Sequence, residues 1–189
     1  MGKPLNNDQK SLLLRLARQA LEDGVNRRRL QPLDLENLPP ELQEQGATFV
    51  TLTERGALRG CVGALEAYLP LAEDVRQHAV AAALEDYRFL AVQPEELPGI
   101  EIEISRLSKP EILDYNGSDD LLAKLRPGID GVILKDGSRR ATFLPQVWEK
   151  LPDKEMFLAH LCSKMGSSPD AWRQKKLVVM VYQVEEFHE

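Results

Sequence analysis

The sequence predicts an α+β fold built on an antiparallel or mixed β-sheet. Helical and strand-like patterns alternate irregularly along the 189 residues, and several strand pairs are separated by tight turns. Tight turns force neighbouring strands to run antiparallel. The chain therefore does not fit the doubly wound parallel sheet of nucleotide-binding folds.

Local signals predict the elements in order. Asn6 and Gln9 have the spacing of a capping box, which predicts the start of the first helix. The segment 54–56 and the pair Asp136-Gly137 predict hairpin turns. Pro70 is expected at the start of a helix, where its missing N–H is not needed. The predicted helices cover 6–22, 71–86, 119–125 and 152–165, and the predicted strands cover 48–53, 57–65, 101–107, 129–135, 140–144 and 177–184.

The last predicted strand, 177–184, is a continuous apolar run, which is typical of a strand in the centre of a sheet. We find no long polar linker, no internal repeat and no low-complexity tract. The sequence therefore predicts a single domain over 1–189, with room for two lobes whose boundary the sequence does not define.

Composition is that of an ordinary soluble globular protein, with 43% hydrophobic and 29% charged residues. No apolar run approaches the roughly 20 residues of a membrane helix, and the first residues lack a secretory signal. A net charge of −6 is not typical of a nucleic-acid binder. We therefore expect a cytoplasmic protein that binds neither membranes nor, in general, nucleic acids.

The two cysteines, Cys61 and Cys162, are expected to be unpaired thiols in a reducing compartment. Cysteines and histidines show no recognised metal-ligand spacing, so we predict no metal site and no cofactor.

The segment Leu58–Gly63 is the most informative stretch of the chain. Strand alternation predicts that Leu58, Gly60, Val62 and Ala64 face the core, and that Arg59, Cys61 and Gly63 face outward together. A guanidinium beside a thiol stabilises the nucleophilic thiolate, and glycines let a ligand approach the backbone. The alternative is structural, because cysteine is often buried and a strand glycine often marks a bulge or close packing.

A histidine near Cys61 would complete a nucleophile–base pair. His78, on the helix after the motif, is the candidate for this base, and His160 is expected at the polar rim of its own helix. Asp86 and Arg88 are expected either to form a local ion pair or to line a cleft for a small anionic ligand beside Cys61.

Further blocks carry a resemblance to a known family. Leu-Arg-Gly-Cys-Val-Gly at 58–63 resembles the Leu-Arg-Gly-Cys-Ile-Gly signature of the AMMECR domain family. The blocks in the family's order are Phe49–Leu52, Asp86–Phe89, Gly128–Val132, Ala141–Trp148 and Val181–Val184. The resemblance runs from about Gln9 to Phe187, and its departures are Val62 for isoleucine and Tyr87 for the more usual proline.

The resemblance implies an antiparallel sheet with flanking helices and a smaller second lobe. It also makes Thr142, in one of these blocks, a candidate ligand-binding residue. Members similar to this chain are described as AmmeMemoRadiSam system protein A. That name implies Memo-like and radical S-adenosylmethionine proteins as partners, and no defined reaction.

Two functional hypotheses follow. In the first, the chain is an accessory module that binds a ligand or partner through a groove containing Arg59 and Cys61, with 58–63, Asp86, Arg88 and Thr142 as its binding residues. In the second, the chain is an enzyme that uses Cys61 as a thiolate nucleophile or redox group on a small anionic substrate, with Arg59 and His78 assisting.

Overall fold

The computed structural model describes residues 4–189. Helices and antiparallel strand pairs make up the described chain, which confirms the α+β class. The chain divides into two compact units. The larger contains the described residues up to Leu107 together with Glu185–Glu189, and the smaller contains Ser108–Val184. Each unit has its own hydrophobic core.

The larger unit is a sheet covered by helices. Its helices are α1 (Asn7–Val25), α2 (Pro40–Gln43) and α3 (Leu71–Leu84), with 3₁₀ turns at Leu35–Asn37 and Pro94–Gly99. Its strands are β1 (Gln45–Glu54), β2 (Ala57–Gly63), β3 (Leu69–Pro70), β4 (Ile100–Leu107) and, at the C-terminus, β9 (Val184–His188). The strand order is β2-β1-β4-β9, and β3 pairs with the start of β1.

The first helix begins as the sequence predicts. The Asn6 side chain accepts a hydrogen bond from the Gln9 N–H at 2.9 Å, and the Gln9 side chain accepts one from the Asn6 N–H at 2.9 Å. This capping box satisfies backbone donors that the first turn leaves without partners. The helix continues to Val25, three residues beyond the predicted end at Glu22.

Helix α3 begins at Leu71, directly after Pro70, and packs on the β1–β2 hairpin through small residues. Its buried face includes Ala79, Ala82 and Ala83. The turn of the hairpin places Arg55 at φ 53° and Gly56 at φ 76°. Two successive residues with positive φ give the turn whose twist matches that of the flanking strands.

The smaller unit is a four-stranded antiparallel sheet with short helices. Its strands are β5 (Glu111–Ile112), β6 (Gly131–Asp136), β7 (Arg139–Phe143) and β8 (Val178–Tyr182), in the order β5-β8-β6-β7. Its helices are α4 (Gly117–Lys124), α5 (Val147–Lys150), α6 (Lys154–Lys164) and α7 (Ala171–Gln174). In its core, the Trp148 and Phe157 rings stack 3.6 Å apart.

The predicted strand 177–184 is divided in the structure. Strand β8 ends at Tyr182 and lies between β5 and β6, so the expected central position is correct for this part. After Gln183, β9 begins at Val184 and belongs to the sheet of the larger unit. The continuous apolar run therefore does not reveal that the chain leaves one sheet and enters another.

Gly60 is required by the packing of β2 against α3. A Cβ atom at Gly60 would lie 2.0 Å from the Ala82 carbonyl oxygen, a backbone atom that cannot move aside alone. We expect Gly60→Ala to lower the free energy of unfolding by about 1–3 kcal/mol, the usual cost of overpacking. Denaturant unfolding measures the effect.

Gly99→Ala is the matched control, because the nearest atom to its added Cβ would be a Glu54 side-chain oxygen at 3.5 Å. This variant should stay within about 0.5 kcal/mol of the parent. Equal stability of the two variants would contradict the close packing assigned to Gly60.

Candidate functional site

A β-bulge shapes the Leu58–Gly63 segment. In the β1–β2 ladder Leu52 pairs with Gly60, whereas Thr53 pairs with Leu58, so Arg59 is the extra residue. Alternation therefore breaks at Arg59. Leu58, which we expected to face the core, is instead 45% exposed.

Beyond the bulge the two faces of β2 are those that the sequence predicts. Gly60 contacts α3, and Val62, two residues along, lies on the same side opposite Val50 in β1. Cys61 pairs with Thr51 and points to the other side of the sheet. Cys61 is half-buried.

Packing within the protein accounts for both glycines of the motif. A Cβ atom at Gly63 would lie 2.3 Å from the Thr48 carbonyl oxygen and 2.5 Å from the Phe49 ring. With Gly60 held against α3, neither glycine has to be explained by a ligand approaching the backbone.

Cys61 is surrounded by polar contacts to its side chain and backbone. The Thr51 hydroxyl is 3.3 Å from the Cys61 Sγ atom and donates to it. The Cys61 N–H donates to Asp86 Oδ2 at 2.9 Å, and the Cys61 carbonyl accepts from Arg88 at 3.3 Å. Asp86 and Arg88 thus contact the backbone of β2 at the edge of the sheet, where a neighbouring strand would otherwise pair.

Asp86 and Arg88 also bind each other. Two Arg88 nitrogens donate to the two Asp86 carboxylate oxygens at 2.9 and 2.6 Å. These hydrogen bonds hold the pKa of the buried Asp86 carboxyl far below its usual range. The hydrogen bond from the Cys61 N–H lowers this pKa further. The pKa of Arg88 is raised, mainly by its hydrogen bonds with Asp86. The expected local ion pair therefore forms, and it adjoins Cys61.

Arg59 is bound to a different carboxylate. Its Nε and one terminal nitrogen donate to Glu96 at 2.7 and 3.1 Å, and the other donates to the Leu90 carbonyl at 2.8 Å. The hydrogen bond with Glu96 raises the pKa of Arg59 and lowers that of Glu96. Within the described residues, the guanidinium that contacts Cys61 belongs to Arg88. Arg59 instead binds the segment that follows Arg88, at the Leu90 carbonyl and at Glu96.

His78 is not brought to Cys61. Its Nδ1 lies 3.1 Å from the carboxylate of buried Asp74, which also accepts from the Thr48 hydroxyl at 2.6 Å. His78 belongs to α3, which packs on the Gly60 side of β2, whereas the Cys61 side chain points to the opposite side.

The remaining candidates lie in the smaller unit. Thr142 on β7 shares a 3.1 Å hydrogen bond with the Tyr182 hydroxyl, and its carbonyl accepts from Lys164. Cys162 is fully buried, and burial raises the pKa of its thiol. His160 is exposed on α6.

Residues 4–189 contain no group of three or more histidine, cysteine or acidic side chains placed to hold a metal ion. In the same part of the chain, no helix is long and apolar enough to cross a membrane.

Sequence reasoning missed Thr51, Asp74 and Glu96. Asp74 and His78 are four residues apart on one helix, a spacing that could have indicated their contact. Glu96 closes a capping box with Gln93 at the Pro94–Gly99 turn, which is also a readable signal. Its pairing with Arg59, 37 residues away, has no local signal.

Large apolar side chains surround the Asp86–Arg88 pair. Tyr87 is 96% exposed and Leu90 88% exposed, and Leu58 lies on the adjoining strand. We call the surface formed by Leu58–Gly63 and Asp86–Leu90 the Cys61 surface. It combines a half-buried cysteine, a fixed ion pair and three exposed apolar side chains.

The fold and this surface define the class of protein. It is an α+β protein of two compact units, in which the edge strand β2 carries one cysteine and two glycines. The sequence matches the AMMECR1 family model over residues 14–187. The chain belongs to the AMMECR1 family.

Similar proteins cover nearly all of the chain. A protein of Thermofilum pendens is 40% identical over 205 residues, covering 100% of this chain and 93% of that protein. One of Methanothermobacter thermautotrophicus is 36% identical over 187 residues, covering 98% and 97%. The crystal structure of the uncharacterized protein PH0010 from Pyrococcus horikoshii has a TM-score of 0.83 and 33% identity, covering 98% of this chain and 93% of that one.

Asp86 should contribute to stability in a pH-dependent way. Because its pKa is lowered in the folded protein, its charge stabilises the fold above the ordinary aspartate value of about 3.9, and this contribution is lost as the pH falls. We expect Asp86→Asn to cost about 1–3 kcal/mol at neutral pH, with a smaller difference in acid. Denaturant unfolding between neutral pH and about pH 3 measures it.

Asp114→Asn is the matched control, because Asp114 is exposed and its ion pair with Lys176 is 3.5 Å long. It should change stability by less than about 0.5 kcal/mol. A pH-independent cost of Asp86→Asn would contradict the role of its charge.

Proposed function

We propose that this AMMECR1-family chain is an accessory binding module that docks a protein partner on the Cys61 surface. The observation that carries the proposal is the exposure of Tyr87 and Leu90 on a segment that hydrogen bonds hold in place. Exposed apolar side chains grouped beside polar residues are typical of protein-interaction sites.

The segment Asp86–Leu90 is fixed near both ends. Asp86 and Arg88 bind the Cys61 backbone, and the Leu90 carbonyl accepts from Arg59. A segment that is ordered before binding loses less conformational entropy when the partner arrives. The conformation of the free protein therefore supports docking through Tyr87 and Leu90.

Charge pairing favours a protein partner over a small anion. Arg59 is paired with Glu96, and Arg88 with Asp86, so neither guanidinium offers an uncompensated positive charge. An anionic ligand would have to compete with a carboxylate already bound at hydrogen-bond distance. Apolar contact is therefore the main interaction that this surface has to offer.

Memo-like proteins and radical S-adenosylmethionine proteins are the candidate partners. Their candidacy comes from the family resemblance and not from a feature of the surface. We propose no cofactor for this chain, and the docking role requires none.

Loss of the exposed apolar side chains should weaken docking. We expect Tyr87→Ser combined with Leu90→Ser to weaken binding to the Memo-like protein of the same organism at least about tenfold, because both side chains would be central contacts. Isothermal titration calorimetry under reducing conditions measures this, and the melting temperature should stay unchanged.

Ile112→Ser is the control, because Ile112 is also exposed but lies in the smaller unit. It should bind like the parent. If the parent binds neither the Memo-like nor the radical protein, the proposed partners are wrong. If the double variant binds as well as the parent, the proposed surface is wrong.

A second candidate function is supported by the sulfur itself. Thr51 donates to Sγ of the half-buried Cys61, and Arg88 lies close enough for charge on the two groups to interact. Contacts of these two kinds occur beside reactive cysteines. In this alternative Cys61 is a nucleophile or redox group that acts on a small anionic substrate.

The alternative predicts that the charge of Arg88 speeds reaction of the thiol. Arg88→Gln should slow alkylation of Cys61 by iodoacetamide about two- to fivefold at neutral pH, whereas Arg88→Lys should keep most of the rate. Arg59→Gln is the second comparison, because the Arg59 guanidinium binds Glu96 and the Leu90 carbonyl, whereas that of Arg88 binds the Cys61 carbonyl. Equal or faster alkylation in Arg88→Gln would contradict electrostatic activation. Mass spectrometry measures the modification at Cys61.

A further inference from the structure

A cleft at the end of α1 adjoins the Cys61 surface. It is lined by residues 24–27, by residues 91–94 and by Leu84 of α3, and its volume is about 340 Å³, within the usual range for small-ligand sites. We call it the Arg27 cleft. We propose that it receives an apolar side chain and a neighbouring carboxylate from the protein that docks on the Cys61 surface. This inference rests on the proposed function and names the chemistry of the partner.

Arg27 lies at a position where the chain needs a left-handed conformation. Its φ is 55°, its N–H donates to the Gly24 carbonyl at 3.0 Å, and the Arg28 N–H donates to the Asp23 carbonyl at 2.8 Å. These two hydrogen bonds form the Schellman motif that ends many helices, and glycine is the usual residue at this position of the motif. A residue with a side chain strains the backbone there. The end of the helix therefore does not explain the arginine.

The Arg27 guanidinium is available to a ligand. Arg27 is exposed, and in the part of the chain that the structure describes its guanidinium has no hydrogen bond and no ion pair. Asp and Glu are absent from the described residues that line the cleft. Arg59 and Arg88, in contrast, each bind a carboxylate. The cleft therefore offers an uncompensated positive charge, for which a carboxylate of a protein is the matching group.

The walls beside Arg27 are apolar. Val92 is buried, Leu84 is 38% exposed, and Ala91 and Pro94 are exposed. An apolar side chain of a partner would remove these walls from water, which is favourable. A carboxylate alone would leave them exposed. The cleft therefore fits a segment in which an apolar side chain and a carboxylate are neighbours.

The cleft begins at the base of the loop that carries Tyr87. Leu84 precedes this loop and Ala91 follows it, and both line the cleft. The Val92 N–H donates to the Ala83 carbonyl at 2.9 Å, so the two ends of the loop lie side by side. A partner that covers Tyr87 is therefore close to the cleft, and one segment of it can reach both.

Nuclear magnetic resonance of the full chain tests the cleft with three probes of similar size: N-acetyl-leucinate, N-acetyl-leucinamide and leucinamide. The first carries a carboxylate beside an apolar side chain, the second is neutral, and the third carries an ammonium group. At about pH 6.5, where an α-amino group is charged, N-acetyl-leucinate should shift the Arg27 Nε–H and Leu84 methyl signals with a Kd on the order of millimolar. The neutral probe should bind more weakly, and leucinamide should not bind.

Variants of Arg27 separate binding from structural effects. Arg27→Gln should weaken N-acetyl-leucinate binding about threefold or more, whereas Arg27→Lys should keep part of the affinity. Arg27→Gly should weaken binding as Arg27→Gln does, but its melting temperature should not fall, because glycine adopts the left-handed conformation without strain. Arg29→Gln is the matched control and should bind like the parent. Arg29 is also exposed and unpaired among the described residues, but it does not line the cleft.

Calorimetry with the Memo-like protein relates the cleft to docking. Arg27→Gln should weaken docking about threefold or more, and Arg29→Gln should leave it unchanged. If only the Tyr87 and Leu90 double variant weakens docking, the Cys61 surface is correct and the partner does not occupy the cleft. If only Arg27→Gln weakens docking, the partner occupies the cleft and the proposed surface is wrong. If neither the Memo-like nor the radical protein binds, those partners are wrong, and the probe titrations decide the chemistry of the cleft without them.

Four results would overturn the proposal. The first is N-acetyl-leucinate that shifts neither signal, and the second is equal binding of N-acetyl-leucinate and N-acetyl-leucinamide. The third is an Arg27→Gln variant that binds the probe or docks the partner like the parent. The fourth is a lower melting temperature of Arg27→Gly, because Arg27 would then be required by the fold.

Discussion

The hydrogen bond from the Cys61 N–H to the buried Asp86 carboxylate is the interaction on which the candidate site depends. It joins the free edge of β2 to the loop after α3, and Arg88 then binds both partners of that bond. The same contacts block strand addition at the edge and hold Tyr87 outward. An edge that is closed by side chains, instead of by another strand, leaves its neighbouring apolar groups uncovered.

The Leu58–Gly63 segment has different tasks on its two faces. Gly60 and Gly63 allow backbone to pack closely on one side and within the hairpin, and Cys61 lies on the other side with Thr51. The bulge at Arg59 interrupts this alternation, so that Leu58, before the bulge, is exposed. The two glycines of the motif are therefore explained by packing within the protein. Cys61 and Leu58 belong to the surface, and only these residues of the motif bear on binding.

The sequence predicts what depends on local rules. The capping box at Asn6, the hairpin turns and the Asp86–Arg88 pair all involve residues a few positions apart, and each is found in the structure. Alternation predicts the faces of Gly60, Cys61 and Val62, but it cannot detect a bulge, so the exposure of Leu58 was not predicted. Alternation also places Arg59 beside the thiol, whereas in the structure Arg59 is the bulged residue and binds Glu96, a partner 37 residues away that has no local signal.

Charge pairing gives the strongest reason to prefer docking over anion binding. A guanidinium beside a thiol was expected to act on a ligand, yet each of the two guanidiniums near the motif already has its own carboxylate. A paired guanidinium fixes the geometry of a surface more effectively than it attracts a free anion, because the field of its partner cancels much of its own. Arg59 and Arg88 hold the loop ends, and Tyr87 and Leu90, between and beside these anchors, are left to make contact with a partner.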